Sequence, residues 1–577
     1  MTAPAPSRPR AGARWIAPPA VDEGHVAALA AALSLPPALC RLLAQRGFAD
    51  VDDARRFLRP RREQLADPAT LKDMDKAVER LVRACRGGET VLVHGDYDVD
   101  GMCSTALLCD VLDALGARAV PFTPNRFTDG YDLTDAGVRA AVEARASVVL
   151  TADCGTSARG PIASLCERGI DVIVSDHHLP GGELPRCVAI LNPRQPGCPS
   201  ADKDAAAVGI AFKLALALCR ALDASENLAW NQLDLVALAT VADLAPLRGE
   251  NRILVRYGLK LLAETRRPGL VALIRSSGCD GKPITAGTCG FTIGPRLNAV
   301  GRMASAMLGV ELLRTRDTAR ANELARTCEE LNRERQALDQ RILGEAMRQV
   351  EALDLDDHVG LVLDGDGWHA GVIGIVASRV VEQVARPTFV IGFDGETGKG
   401  SGRSIGAFDL HAALTACGGH LERFGGHRAA AGLTIRRDRL PAFRAAFNAV
   451  ARERLPVSEC VHERRLDAVL DAASLDVAFP KLLAHCEPHG LGNPRPVFHV
   501  TGATLAKAPR ILKERHLRLD VRVGDATVGC IGFGMADRAA ELRAGMVLEL
   551  AAKLELSTWG GTETVELHLV DLRPAAG

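Results

Sequence analysis

Three strand-length apolar runs between Thr90 and His178 each end in carboxylates or histidines: VLVHGDYDVDG, VVLTADCG and DVIVSDHH. Helical stretches lie between them, including GMCSTALLCDVLDALG, TDAGVRAAVEA and ARGPIASLCERG, with a further short strand at RAVPFTP. Nearly continuous apolar strands alternating with helices predict a parallel sheet covered on both faces. In such a sheet the C-terminal ends of the strands share one edge, where ligands bind. Asp96, Asp98, Asp100, Asp153, Asp176, His177 and His178 therefore converge on one crevice. Asp243, which ends the apolar helix LDLVALATVADLAPL, reaches the same place.

Taken singly, an Asp after a strand reads as a turn residue or helix cap, because its carboxylate accepts backbone N–H bonds. Acids and histidines at three successive strand ends are not explained by caps. So many carboxylates together would repel and rise in pKa, and divalent cations are the remedy. Oxygen-rich ligation with one or two imidazoles points to Mg or Mn rather than zinc. Two such ions sharing a carboxylate suit phosphoester hydrolysis: one lowers the pKa of a water from ~15.7 toward ~7, and the other offsets charge growing on phosphate oxygens. Asp98 and Asp153 are the candidates to hold the pair, with His177 completing one shell.

A chain of 577 residues should form about three to four domains. Its 47% hydrophobic and 24% charged content is that of a globular protein. No apolar stretch is long and uncharged enough to span a membrane, and the basic N-terminus lacks the apolar core of a secretory signal. The expected location is the cytoplasm, with the 16 cysteines reduced and no C-x-x-C pair to hold a metal. A net charge of −1 excludes a uniformly basic nucleic-acid binder, so a polyanion site must come from local arginine clusters. Residues 1–20, rich in Pro, Ala and Arg, are expected to be disordered. The heptad-like spacing from Thr318 to Leu353 predicts one long charged connector helix. Strand–helix alternation restarts at VGLVLDGD, and the tail beyond about Val461 alternates with period two, the pattern of an antiparallel barrel or sandwich.

The order DYDVDG, ADCG, SDHH, VADLAPL resembles the DHH phosphoesterase superfamily. The further segments PNRFTDGYDL, GPRLNAVGRM, WHAGVIGIVASRVVE, GSGRSIGAFDL, FGGHRAAAGLTI and PHGLGNPRPVF are similar to its RecJ branch. The resemblance implies an α/β multidomain protein: a helical or disordered segment (1–75), a parallel-sheet DHH catalytic domain (76–245) and a helical region with the connector (246–352). An α/β DHH-associated domain (353–455) and an OB-like barrel (456–577) follow. It implies metal ligation by Asp96, Asp98, Asp153, His177 and Asp243, with Asp100 and Asp176 supporting them from behind and His178 facing the scissile phosphate. Arg296, Asn298, Arg302 and His427 would contact nucleic acid. Ser401 and Arg403 would grip a 5′-phosphate, with Arg126 and Tyr131 near the strand end. The glycines of GKGSGRS fit a loop whose N–H groups approach a phosphate, although the segment is not a nucleotide-binding P-loop. GGHRAAAG has an alternative reading as tight helix packing.

Departures from the wider superfamily are Leu92, where relatives have a histidine, Arg428 in place of Ala, and His489 in place of Phe. HCEPH (485–489) has the wrong spacing for a metal pair and reads as a loop. On the tail, His516, Arg518 and Arg522 share a strand face that either tracks a nucleic-acid backbone or is merely solvated. The resemblance implies a monomeric 5′→3′ exonuclease for single-stranded DNA, using Mn²⁺ or Mg²⁺ in recombination and repair. A single-strand-binding protein would be its partner and a helicase would act upstream. The rival readings are a phosphoesterase for short oligonucleotides or cyclic dinucleotides, and a catalytically silent DNA-binding scaffold.

Overall fold

The computed structural model describes residues 13–126, 128–557 and 561–575. The expected disordered stretch 1–20 therefore lies partly outside the described residues. Its described end departs from that expectation: Arg14–Ile16 is a short strand, and Arg14 bonds His462 and pairs with Glu459 at 2.9 Å.

The first sheet comprises β1 (Thr90–Gly95), β2 (Arg118–Phe122), β3 (Val148–Ala152), β4 (Asp171–Ser175) and β5 (Ala189–Leu191). All neighbours are parallel and the spatial order is β2-β1-β3-β4-β5. The strands are apolar on both faces because helices cover both, which is why the runs show no alternation. Among these helices are α1 (Val99–Ala114) after β1 and α2 (Ala207–Ala221), and α3 (Leu233–Ala242) packs against both of them. Successive strands are added to one side of β1 and then, from β3 on, to the other, and such a switch point opens a crevice at the C-terminal strand ends. Further along come α4 (Gly294–Met303) and α5 (Thr318–Glu351), a single 34-residue helix where the long connector is expected.

The chain divides into two compact units. The smaller is built mainly of Thr327–Arg464. Its five-stranded sheet has the order β9-β10-β8-β7-β6, from β6 (Leu361–Asp366), β7 (Thr388–Asp394), β8 (Thr397–Arg403), β9 (Arg423–Gly426) and β10 (Ala430–Arg436). Helix α6 (Ile373–Val384) links β6 to β7. Two sequence expectations need correction here. GKGSGRS is no phosphate loop but strand β8, with its N–H groups committed to the ladder. Its glycines serve packing: a Cβ on Gly398, Gly400 or Gly402 would lie 2.7 Å from Phe393, 2.7 Å from Leu433 or 2.4 Å from Phe389. GGHRAAAG is the β9–β10 hairpin, not a helix contact; Gly426 has φ 137°, and a Cβ there would fall 2.5 Å from the facing backbone.

In the larger unit, five C-terminal strands close into a barrel: β11 (Phe498–Leu505), β12 (His516–Val523), β13 (Ala526–Gly532), β14 (Val547–Ser557) and β15 (Thr564–Pro574). Closure comes from the β11–β12 pairing at Thr504–Arg522 and Leu505–Val521. The N-terminal helices Glu23–Leu33, Pro37–Gln45 and Val51–Leu58 share the barrel's core, with Leu29, Leu39, Leu42 and Phe57 buried together with Val500, Leu519 and Leu550. Arg252, 2% exposed, ties this assembly to the helical region: its guanidinium donates to the carbonyls of Phe57, His485, Cys486 and Glu487. HCEPH starts in a single 3-10 turn, Ala484–Cys486, and continues as a loop in which His489 is half-buried. Among the described residues no single helix is long and apolar enough to cross a membrane.

Candidate active site

Register builds the site. Gly95 pairs with Ala152, so Asp96 and Asp153 leave adjacent strands side by side. Backbone bonding continues past the strand ends, from Asp96 N to Ala152 O, Asp153 N to Ser175 O and Asp176 N to Leu191 O. Asp153 has φ +71°, a left-handed conformation uncommon outside glycine and a mark of local strain. Asp98 caps α1, its Oδ1 accepting the amides of Asp100 and Gly101. The cap and the acid cluster are therefore not alternatives, because one oxygen makes the cap and the carboxylate still belongs to the group. Asp100 is buried, and its two oxygens accept the amides of Ala207 and Val208 at the start of α2.

Three overlapping groups have candidate ligand atoms all within 4.8 Å of one another: Asp96, Asp98 and Asp153; Asp153, His177 and His178; and Asp100, His177 and Asp243. Asp153 and His177 each belong to two groups. His177 Nε2 is 3.1 Å from Asp153 Oδ1, and its Nδ1 is 3.9 Å from Asp243 Oδ2. Asp96 Oδ1 and Asp153 Oδ1 are buried without a hydrogen-bond partner. Buried polar atoms are ordinarily satisfied, so two orphaned carboxylate oxygens on residues of one cluster fit a divalent cation with a preference for oxygen.

The electrostatics agree. Burial, and then the Asp98 charge, pushes Asp96 up to about 8 and Asp243 up to about 7. Burial raises Asp100 and Asp153 well above the usual carboxylate range, with neighbouring acids adding to it. Burial lowers His177 to about 4, leaving a neutral imidazole suited to ligation. His178 behaves oppositely: against the cost of burial, the Asp176 carboxylate at 2.7 Å from Nδ1 lifts it to about 9. Its Nε2 meets the Tyr131 hydroxyl at 3.1 Å. Arg126 stacks over the Tyr97 ring at 4.7 Å, so the PNRFTDGYDL loop closes against the DYDVDG loop.

The remaining expected residues lie as follows. Asn298 Oδ1 accepts Val99 N at 3.2 Å, which anchors α4 to the turn holding Asp98. Arg296 donates to Thr292 O, and Arg302 to Gly371 O. In the smaller unit Ser401 and Arg403 share the face of β8 opposite the packed glycines. Arg403 bonds only Ser401 Oγ and its neighbour Gly402 O, and among the described residues no carboxylate pairs with it. Burial lowers its pKa, and Gly374, in the first turn of α6, leaves room beside both side chains. A half-buried guanidinium beside a hydroxyl and a helix start has the chemistry to receive an anion. His427 donates its backbone amide to Ala430 O in the hairpin turn.

Asn192 is a residue that motif reading misses. Fully buried after β5, it donates to Thr156 Oγ1 and His178 O and so holds the His177–His178 segment. Asp132 does similar work, accepting the Gly155 amide at 2.7 Å. The only sequence signal for either is a polar residue next to an apolar strand or in a glycine-rich loop.

Comparison with known proteins matches residues 90–240 to the DHH family N-terminal domain, 357–453 to the DHHA1 domain and 466–571 to the RecJ OB domain. The single-stranded-DNA-specific exonuclease RecJ of Dickeya dadantii is 37% identical over 569 residues, covering 94% of this chain and 96% of its own. That of Escherichia coli is 35% identical over 562 residues, with coverage of 94% and 96%. The crystal structure of Thermus thermophilus RecJ with Mn²⁺ superposes with a TM-score of 0.83 at 33% identity, covering 98% of this chain and 80% of that one.

Proposed function

Because the chain belongs to the RecJ family of DHH phosphoesterases, we propose that it hydrolyses single-stranded DNA from the 5′ end and releases nucleoside 5′-monophosphates. The observation that carries this reading is the acid–imidazole cluster at the switch point, with two buried carboxylate oxygens left without partners. Mn²⁺ or Mg²⁺ is the cofactor. Held as a pair by Asp96, Asp98, Asp153, His177 and Asp243, it would supply an activated water and offset the charge of the phosphate.

The chain's own residues do the rest. Asp100, fixed by two amides, holds the base of the cluster in place. Asp176 keeps His178 charged at neutral pH, so Nε2 can donate to a non-bridging phosphate oxygen as charge grows there. Asn192 sets the backbone of that histidine. Ser401 and Arg403 bind a terminal phosphate, and polarity follows from which strand end carries one. The protein is proposed to act in the cytoplasm as a monomer, during recombination and repair, on strands delivered by a helicase and coated by a single-strand-binding protein.

The test is a single-stranded oligonucleotide labelled at its 3′ end, incubated with Mn²⁺ or Mg²⁺ beside the same strand in a blunt duplex. A chelator-sensitive ladder shortening from the 5′ end, with the duplex spared, is the expected result. Digestion from the 3′ end, or equal digestion of the duplex, would overturn the proposal.

A further inference from the structure

Large apolar side chains stand in water beside the acid cluster. Leu179 directly follows His178 and is 62% exposed; Leu244 directly follows Asp243 and is 66% exposed. Phe291 is 87% exposed, more than any other large apolar residue described. It sits on a π-helical turn, Cys289–Ile293, which runs straight into α4. Such turns insert an extra residue into a helix and recur at functional sites.

This turn is braced against the cluster from both sides. A Cβ on Gly290 would meet Val241 at 3.5 Å, and one on Gly294 would meet Ala242 at 3.3 Å, so the turn lies along the end of α3 that presents Asp243. At the other end of α4, a Cβ on Gly301 would fall 1.9 Å from Tyr97 O. Asn298 bonds the amide beside Asp98. Phe291 is thus carried by an element packed on both acid-bearing segments, while its own ring packs on nothing that would bury it. A folding role does not account for an exposed ring on a fixed mount, since the ring contributes almost no burial.

We propose that Phe291 is a base-stacking step beside the metal centre that takes an unpaired nucleobase of the substrate strand. This rests on the assignment of single-stranded DNA as substrate. The acids and cations handle phosphate, and the apolar rim handles the other half of a nucleotide. Stacking is indifferent to sequence because every base has a π-face. It also discriminates between strands: a base inside a duplex has both faces covered and offers Phe291 nothing.

Binding, not turnover, tests it, so that it can fail independently of the nuclease assignment. In an Asp98→Ala background, the affinity for a 5′-phosphorylated single-stranded oligonucleotide is measured with Phe291, Phe291→Ala and Phe291→Trp. Phe291→Ala should weaken binding about tenfold, within the range of one base–aromatic stack, and Phe291→Trp should restore it. On an oligonucleotide whose first several nucleotides are abasic, the difference between Phe291 and Ala should vanish. Equal affinities on the intact strand, or the same loss on the abasic one, would overturn the proposal. A missing exonuclease ladder beside a preserved stacking difference would indict the hydrolytic assignment alone.

Discussion

His177 Nε2 stands 3.1 Å from Asp153 Oδ1, yet that oxygen accepts no hydrogen bond. The two atoms are at contact distance but out of alignment, and Asp153 is held there by a left-handed backbone. Groups that would bond each other if free to do so are instead aimed at common space, which is the geometry of co-ligands. Mn²⁺ should therefore raise the melting temperature of the wild type, by the equivalent of about 2.7 kcal/mol at one hundred times its Kd. Asp153→Asn should abolish most of that rise. Thermal unfolding across a Mn²⁺ titration reads it, and an undiminished shift in the variant would remove Asp153 from the ligand set.

The same cluster sets a pH dependence. Asp96 and Asp243 are raised from the ordinary carboxylate value to about 8 and about 7. A folded-state pKa above the unfolded one means the native protein binds more protons, so stability falls as pH rises between the two values. In chelator, the protein should be most stable near pH 4 with respect to these groups and should lose stability steadily up to about pH 8. Saturating Mg²⁺ or Mn²⁺ should flatten or reverse the slope, since the cations replace the protons. Melting temperatures at several pH values, with and without metal, check this; parallel profiles would contradict it.

Asp98 combines two roles that substitution can separate. Asp98→Ala removes the cap of α1 and the ligand together, and should cost about 1 kcal/mol of stability as well as activity. Asp98→Asn keeps an acceptor for the amides of Asp100 and Gly101 but carries no charge. It should melt close to the wild type while losing at least about 100-fold in turnover, the scale of removing an essential electrostatic group. Substantial nuclease activity in Asp98→Asn would count against ligation by this residue.

What the sequence makes legible here is whatever the sheet repeats. Asp96, Asp153 and Asp176 follow apolar runs of similar length, and the parallel register puts them at one edge without further information. Asn192 has no such frame: it follows a three-residue strand, and its partners, Thr156 and His178, are set only by tertiary packing. The glycines of β8 mislead because glycine carries no hydropathy, so a strand alternating Gly with polar residues shows no apolar period. The bond between the end of the N-terminal helix Pro37–Gln45 and the loop leading into the barrel joins residues more than 400 positions apart, Arg46 and Asn493, and leaves no local trace.

On β8 the two faces should respond differently. Gly400→Ala would place a Cβ 2.7 Å from Leu433 and 3.1 Å from Ile391, and overpacking of that kind costs about 1–3 kcal/mol. Arg403→Ala leaves that packing untouched and should instead raise KM for 5′-phosphorylated strands by roughly ten- to a hundred-fold, the worth of a charge-assisted bond. A 5′-hydroxyl strand should be affected far less. Equal losses on the two substrates would detach Arg403 from the terminal phosphate.

The barrel face carries the last test. Arg518 shares β12 with His516 and Arg522, but it is paired with Glu566, which also lies 3.1 Å from His568 Nε2. Arg510 is likewise matched by Asp520. A cation already neutralised releases few counterions on meeting a phosphate, so Arg518→Ala should change single-strand affinity little. Glu566→Gln should do more: it frees Arg518 without removing volume. If DNA runs over this face, the variant should bind more tightly at low salt, and the slope of log affinity against log salt should steepen by about 0.7, the increment for one further phosphate contact on a single strand. Affinities measured at four or five salt concentrations decide it. An unchanged slope in Glu566→Gln would mean that the strand passes elsewhere and that the paired arginines serve only the barrel.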